Sequence, residues 1–142
     1  MKYFLSISFC LLAISFSSCE KNEGEGGTSE IAGKIYEIQY DASFQLIVDT
    51  VPYVDEDVFI IYGNDRSTHD DDFKTSFDGS YKFSFLQKGD YTLFAYSDDS
   101  TGASTGNLDP TGPKAPSFIK VTIDKNGKTI TAPDIYIIKN NR

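Results

Sequence analysis

Short apolar runs, rich in β-branched and aromatic residues and separated by turn-forming residues, restrict the possible folds of this chain more than any other sequence feature. After Glu30, no twelve-residue window repeats its apolar positions at helical spacing, so the pattern predicts strands. The candidate strands are Ile31 to Tyr40, Phe44 to Val48, Val58 to Tyr62, Tyr81 to Leu86, Tyr91 to Tyr96, Phe118 to Ile123 and Ile135 to Ile138. Two further runs, Phe73 to Phe77 and Thr129 to Thr131, stand next to turn residues. Seven or eight short strands in about 110 residues predict an all-β sandwich of two sheets, formed by a single domain over residues 30–142.

Alternation and turn residues predict further details of this sandwich. Tyr81, Phe83 and Phe85 alternate with polar residues, so we expect all three aromatic side chains to point into the core. Asp78-Gly79 and Asn126-Gly127 each separate two candidate strands. Because these dipeptides are typical of two-residue turns, we expect a β-hairpin at both positions.

The N-terminus has the layout of a secretory signal. Lys2 is followed by an apolar run to Phe16 and then by small residues, which is too short for a membrane-spanning helix. Phe16-Ser17-Ser18-Cys19 resembles a bacterial lipobox, although Phe16 replaces the usual aliphatic residue. The resemblance implies that residues 1–18 are removed and that Cys19 carries fatty acyl chains such as palmitate, which anchor proteins to membranes at about 0.8 kcal/mol per buried methylene. The alternative is ordinary signal-peptide cleavage, with Cys19 unmodified.

The segment after Cys19 is acidic and glycine-rich. Glu20 to Ser29 contains no apolar residue to pack, so residues 19–29 are predicted to form a flexible tether. An acidic stretch at this position also resembles the signal that sends some lipoproteins to the surface of the outer membrane. We therefore expect a lipid-anchored protein of the outer membrane, on either its periplasmic or its outer face, and a plain linker is the alternative reading.

Charge and cysteine content exclude several classes of protein. The chain has 21 acidic and 13 basic residues and a formal net charge of −8, which becomes −9 when Lys2 leaves with the signal peptide. An acidic surplus argues against nucleic-acid binding and against electrostatic docking on anionic lipid. Cys10, the other cysteine, lies in the signal segment, so no disulfide is expected in the domain.

The segment Thr75–Leu93 (TSFDGSYKFSFLQKGDYTL) resembles carboxypeptidase regulatory-like domains and their collagen-adhesin B-type relatives. Their pattern has an Asp-Gly turn before alternating aromatics, then a glycine and a tyrosine, here Gly89 and Tyr91. The resemblance implies a prealbumin-like (transthyretin-like) Greek-key sandwich of about seven strands. It also implies a non-catalytic module, since the peptidase activity of that family lies in a separate domain. Gly89 would allow a sharp corner, and the Tyr91 hydroxyl would bond to the main chain, as in tyrosine corners.

Catalytic residues are not expected. His69 is the one histidine of the chain and lies in a polar run, and the sequence contains no nucleophile elbow, phosphate-binding glycine loop or paired zinc histidines. A hydrolase would require His69 to lie against a serine in a pocket.

Acidic residues on both sides of the Val58–Tyr62 strand suggest a calcium site. Asp55, Asp57, Asp70 and Asp72 are the candidate ligands, because Ca²⁺ takes six to eight oxygen ligands and related adhesin repeats bind it in acidic loops. The alternative is that these carboxylates are simply solvated. No other cofactor is expected.

Two further expectations concern exposed residues and the first strand. The loop from Ser97 to Ser117 is long for a compact domain and is the candidate ligand-binding segment, with Tyr53 and Tyr96 as aromatic platforms for sugar. The adhesin resemblance also raises an isopeptide link between Lys34 and Asn140 or Asn141, against the alternative of a solvated lysine.

These observations favour a non-catalytic, lipid-anchored binding or assembly module of the cell envelope. Its expected partners are the membrane, through the lipid, and an envelope protein or a glycan. The alternative from another class is a structural spacer or fimbria-like subunit whose strands pair with a partner chain by strand addition.

Overall fold

The computed structural model describes residues 23–41, 46–64, 68–98 and 114–139. Within these ranges the chain forms nine strands and no helix, which confirms the predicted all-β sandwich. The strands are β1 (Glu25–Tyr40), β2 (Ile47–Pro52), β3 (Asp57–Tyr62), β4 (Asp71–Lys74), β5 (Ser80–Leu86), β6 (Gly89–Ser97), β7 (Ala115–Ile123), β8 (Thr129–Thr131) and β9 (Ile135–Ile138).

The long strand β1 organises the first sheet. On one side, its first half pairs antiparallel with β5 and its second half pairs antiparallel with β2. It also pairs in parallel with β8 over Glu30 to Ala32 and with β9 over Ile35 to Ile38. The second sheet is antiparallel, in the order β4-β3-β6-β7. Every described strand therefore belongs to one of two sheets, and β1 is shared by four partners.

The core lies between the two sheets and follows the period-two alternation of the strands. Ile31 and Ile35 of β1, Val58 and Ile60 of β3, and Leu93 of β6 are all 0% exposed. Tyr81 and Phe83 also point into this core, as predicted. The aliphatic and aromatic runs thus supply the hydrophobic stabilisation of the sandwich, at roughly 1.5–3 kcal/mol for each large side chain that is fully buried.

Neither predicted hairpin exists. Gly79 and Gly127 adopt positive φ angles of 75° and 72°, as tight turns require. However, β4 pairs with β3 while β5 pairs with β1, so the Asp78-Gly79 turn crosses between sheets. The Asn126-Gly127 turn likewise leads from β7 in the second sheet to β8, which pairs in parallel with β1. Turn residues specify a local reversal of the chain, whereas the sheet that receives the next strand depends on distant partners.

The prediction that Phe85 points into the core is wrong. Its side chain is 73% exposed, and Leu86, 1% exposed, takes the core position instead. The cause is a bulge: while β1 advances from Ser29 to Ile31, its partners on β5 move from Leu86 to Phe83. Phe85 has a φ of 60° at this irregularity, which reverses the alternation of the side chains.

Two strand boundaries also differ from the prediction. β1 begins at Glu25, five residues before the predicted domain start, so the last part of the predicted tether belongs to the sheet. The Gly24 carbonyl accepts a hydrogen bond of 2.9 Å from the Gln87 amide, which fixes this end of the chain without any apolar side chain. β2 covers Ile47–Pro52 instead of Phe44 to Val48, and residues 42–45 lie outside the described residues.

A tyrosine corner connects β5 and β6, as the sequence predicted. The buried Tyr91 hydroxyl donates to the Gln87 carbonyl at 2.7 Å and accepts from the Gly24 amide at 3.1 Å. Gly89, with a φ of 149°, lies in the turn between Gln87 and Tyr91. A single side chain therefore joins the start of the described chain to the turn before β6.

We expect Tyr91→Phe to lower the free energy of unfolding by about 1–2 kcal/mol, because it leaves a buried amide and a carbonyl without their common partner. Urea denaturation measures the change. Tyr96→Phe is the matched control, since the Tyr96 side chain is 39% exposed, and it should change the stability by less than about 0.5 kcal/mol. Equal effects of the two substitutions would contradict a structural role of the Tyr91 hydroxyl.

Candidate functional site

Three consecutive aliphatic residues, one just before β2 and two at its start, are exposed to solvent. Leu46, Ile47 and Val48 are 67%, 59% and 67% exposed, and we call these three residues the β2 apolar surface. Single exposed aliphatic residues are normal in soluble proteins, but a contiguous group of them typically marks an interaction site. The sequence prediction missed this site because an apolar run within a strand is expected to face the core.

β2 is exposed along most of its length, on both faces of the strand. Among the described strands β2 pairs with β1 alone, so it forms an edge of the first sheet. The register passes from Gln39↔Asp49 to Tyr40↔Ile47, which leaves Val48 as the extra residue of a bulge. The edge is interrupted again at Thr50, whose amide donates to the Asp49 carboxylate at 2.7 Å. A partner could therefore contact the apolar side chains of this surface, but it could not form a regular ladder of main-chain hydrogen bonds with it.

The sequence around the β2 apolar surface is acidic. Between Lys34 and Arg66 the sequence contains seven acidic residues and no lysine or arginine. Some of these carboxylates are paired with bases from elsewhere, such as Glu56 with Lys139 at 3.2 Å. Asp49 lies directly beside the apolar residues and is exposed. The surface is thus an apolar patch with an acidic edge.

The four predicted calcium ligands do not form a cluster. Asp57 and Asp55 contact the Lys74 ammonium at 2.8 and 3.9 Å. The Asp70 carboxylate accepts a hydrogen bond from the Tyr62 amide at 2.7 Å, and Asp72 lies on β4 opposite Phe59. Across the described ranges, no three histidine, cysteine, aspartate or glutamate side chains come together in a way that could hold a metal ion.

His69 lies in a groove of about 190 Å³ on the outer face of the second sheet. Its ring is 4.7 Å from that of Phe59. The groove is lined by Ile61, Thr68, His69, Phe94, Tyr96, Pro116 and Phe118. No serine is among these described lining residues. Tyr96, a predicted sugar platform, contacts the rings of Phe94 and Phe59 at 5.5 and 5.7 Å.

Tyr53 and Lys34 are both engaged by neighbouring residues. Tyr53 packs partly buried against the core, and the Lys139 ammonium lies 5.0 Å from the centre of its ring. The Lys34 ammonium contacts the Asp78 carboxylate at 3.1 Å. Bonds from the Ser80 hydroxyl and from Lys34 lower the pKa of Asp78 to about 2, so this pair is ionised at neutral pH. Asn140 and Asn141 lie outside the described residues.

The predicted binding loop is only described at its ends. Ser97 and Ala115 are paired at the end of the β6–β7 ladder, and Asp98 contacts Lys114 at 3.7 Å. Residues 99–113 lie outside the described residues, as do the predicted signal segment and Cys19. Within the described part of the chain, no helix is long and apolar enough to cross a membrane.

No protein-family model matches the chain. A search of characterised proteins likewise finds no significantly similar sequence.

Proposed function

We propose that this chain is a non-catalytic module of the cell envelope, anchored through lipid on Cys19, that docks onto a partner protein through the β2 apolar surface. The observation that carries the proposal is the exposure of Leu46, Ile47 and Val48 at a sheet edge. The finer fold assignment is also part of the proposal. Two sheets and the Tyr91 corner support a prealbumin-like sandwich of the carboxypeptidase regulatory-like type.

Burial of these side chains would drive the association. Complete removal of a leucine, isoleucine or valine side chain from water contributes roughly 1.5–3 kcal/mol, and association offsets part of this gain. The acidic edge around Asp49 favours a partner whose apolar pocket has a basic rim, and it disfavours the anionic surface of a bilayer. The lipid would hold the module at the membrane and leave β2 for the partner protein.

The alternative, a structural subunit that pairs by strand addition, has less support at β2. Strand addition needs a continuous row of unpaired amides and carbonyls. The bulge at Val48 and the bond from the Thr50 amide to Asp49 interrupt that row.

The proposal predicts that Leu46→Ser/Val48→Ser weakens partner binding at least tenfold. The full-length lipoprotein is cross-linked in cell membranes and purified, and the captured protein is identified. Its affinity for the wild type and for the double variant is then measured with both purified proteins. Phe85→Ser is the matched control, because it removes another exposed apolar side chain, 73% accessible, from a different strand. Circular dichroism checks that each variant is folded.

The expected partner binds the control normally, and its affinity falls as salt screens the acidic edge. A partner that binds the double variant as tightly as the wild type would show that β2 is not the docking surface. Complexes that contain only copies of this chain would favour the structural-subunit alternative. Cys19→Ala should release the protein from the membrane fraction, and unchanged membrane association would contradict the lipid anchor.

A further inference from the structure

The outer face of the second sheet is aromatic where polar residues are expected. Phe59 on β3, Phe94 on β6 and Phe118 on β7 are neighbours in the strand register. Ile60 and Leu93, which adjoin two of them in sequence, face the core, so the three rings lie on the opposite side of the sheet. An antiparallel sheet that covers the core with one face usually carries polar residues on the other. The groove beside His69 lies on this aromatic face.

The floor and one wall of the groove are apolar. Phe94 and Ile61, which line it, are 6% and 2% exposed and form its floor. The Phe94 ring is 5.2 Å from the ring of Phe118. The Tyr96 side chain is 39% exposed and packs edge-on against Phe94 at 5.5 Å. The groove therefore combines a packed floor with a partly exposed aromatic ring that a ligand can contact.

The segment between β3 and β4 adds two polar residues to the groove, Thr68 and His69, and both are exposed. Asp70 holds this segment in place. Its amide donates to the Ile60 carbonyl at 2.9 Å, and its carboxylate accepts from the Tyr62 amide at 2.7 Å. The Thr68 hydroxyl and the His69 imidazole can each form hydrogen bonds with a ligand. These groups are thus presented by a segment that is fixed on the sheet.

The lining residues favour a neutral ligand with hydroxyl groups. None of the described residues that line the groove is aspartate, glutamate, lysine or arginine. Asp72 on β4 and Lys120 on β7 lie on the same face of the sheet, so charges of both signs border it. A purely apolar ligand would cover Thr68, His69 and the Tyr96 hydroxyl without bonding to them, which is costly. A sugar ring avoids this cost, because its C–H groups pack on aromatic rings while its hydroxyls bond to polar side chains.

The size of the groove limits what it can hold. Its volume of about 190 Å³ is below the range of pockets for drug-sized ligands, so it has room for one ring of a longer chain. We propose that this groove binds one sugar ring of a neutral glycan, which packs on Tyr96 and bonds to Thr68 and His69. The groove lies on the second sheet and the β2 apolar surface on the first, so this inference does not rest on the proposed function.

Amide chemical-shift mapping of the full-length protein, in micelles of a detergent without sugar groups, tests the proposal. The glycan probes are maltoheptaose, cellohexaose, xylohexaose and mannohexaose. N-acetylleucinamide is added as a probe for an apolar peptide side chain. At least one oligosaccharide should shift the amides of His69, Tyr96 and Phe118 in a saturable way, and N-acetylleucinamide should not.

Two substitutions assign the binding to the groove. Tyr96→Ala should weaken it about tenfold, because it removes the ring on which the sugar packs. His69→Ala should weaken it about fivefold, the effect of one lost hydrogen bond. Tyr136→Ala is the matched control and should leave the affinity unchanged, since Tyr136 is a 49% exposed tyrosine on β9 in the first sheet. Circular dichroism checks that each variant is folded, and His69→Ala changes an exposed residue outside the strands.

Several results would overturn the inference. They are unchanged glycan affinity in Tyr96→Ala or in His69→Ala, no response of these amides to any oligosaccharide, and equal losses in the control. A response to N-acetylleucinamide alone would show that the groove takes an apolar side chain of a protein instead. Leu46→Ser/Val48→Ser should bind the glycan like the wild type, so this inference and the proposed function fail independently.

Discussion

Gly27→Ala is expected to lower the free energy of unfolding by about 3 kcal/mol, although Gly27 lies in a segment that the sequence predicts to be a flexible tether. A Cβ atom at this position would overlap the carbonyl group of Leu86 and the nitrogen of Gln87. These are main-chain atoms within or next to a strand, so they cannot rotate away as a side chain could. Either β1 must separate from the end of β5, or the start of β1 must detach from the sheet.

Urea denaturation measures the loss, and Glu25→Ala is the control. Glu25 is exposed and lies two residues earlier on the same strand, so its truncation should change the stability by less than about 0.5 kcal/mol. Hydrogen exchange at the Gln87 amide gives a local readout, because this amide donates to the Gly24 carbonyl. Faster exchange in Gly27→Ala is expected. If Gly27→Ala were as stable as the wild type, the segment would be a tether after all and β1 would begin later.

The strands could be predicted because their signals are local. Ile135 to Ile138 matches β9, and Val58 to Tyr62 differs from β3 by one residue. Their partners could not be predicted, because pairing joins residues far apart in sequence. The Asp78-Gly79 turn shows this: its residues reverse the chain as expected, but they cannot indicate that β5 will pair with β1 and not with β4.

The candidate sites could not be fully predicted from the sequence for the same reason, because they depend on the tertiary structure. The run from Leu46 to Val48 has the composition of a core strand, and only the structure shows that both faces of this part of the chain are uncovered. Alternation correctly predicted that Tyr81 is buried, but it could not show that its hydroxyl has no hydrogen-bond partner among the described residues. The start of β1 has no apolar residue at all and is held by main-chain bonds, a contribution that hydrophobic patterns do not detect.

Lys139→Met should destabilise the protein by about 2–3 kcal/mol, because it breaks a shielded ion pair without removing volume. The Lys139 ammonium is 3.2 Å from the Glu56 carboxylate, and the two side chains are only 15% and 14% exposed. Burial alone would lower the pKa of Lys139, but the bonds with Tyr53 and Glu56 outweigh it, so the pKa is raised. The stabilisation is therefore complete at neutral pH and is lost only as the pH rises through that raised value, above 10.5.

A double-mutant cycle at pH 7 separates the coupling energy of the Lys139–Glu56 ion pair from the packing energy of the apolar stem of Lys139. Methionine keeps most of the apolar stem of Lys139, so the main cost of Lys139→Met is the Glu56 carboxylate that stays shielded without its partner. Glu56→Gln in the same chain removes that charge, and the double variant should recover about half of the lost stability. Strict additivity of the two single changes would show that the pair is not coupled. The Lys139 ammonium also lies 5.0 Å from the centre of the Tyr53 ring, and Tyr53 directly follows β2, so this ion pair adjoins the end of the strand that carries the β2 apolar surface.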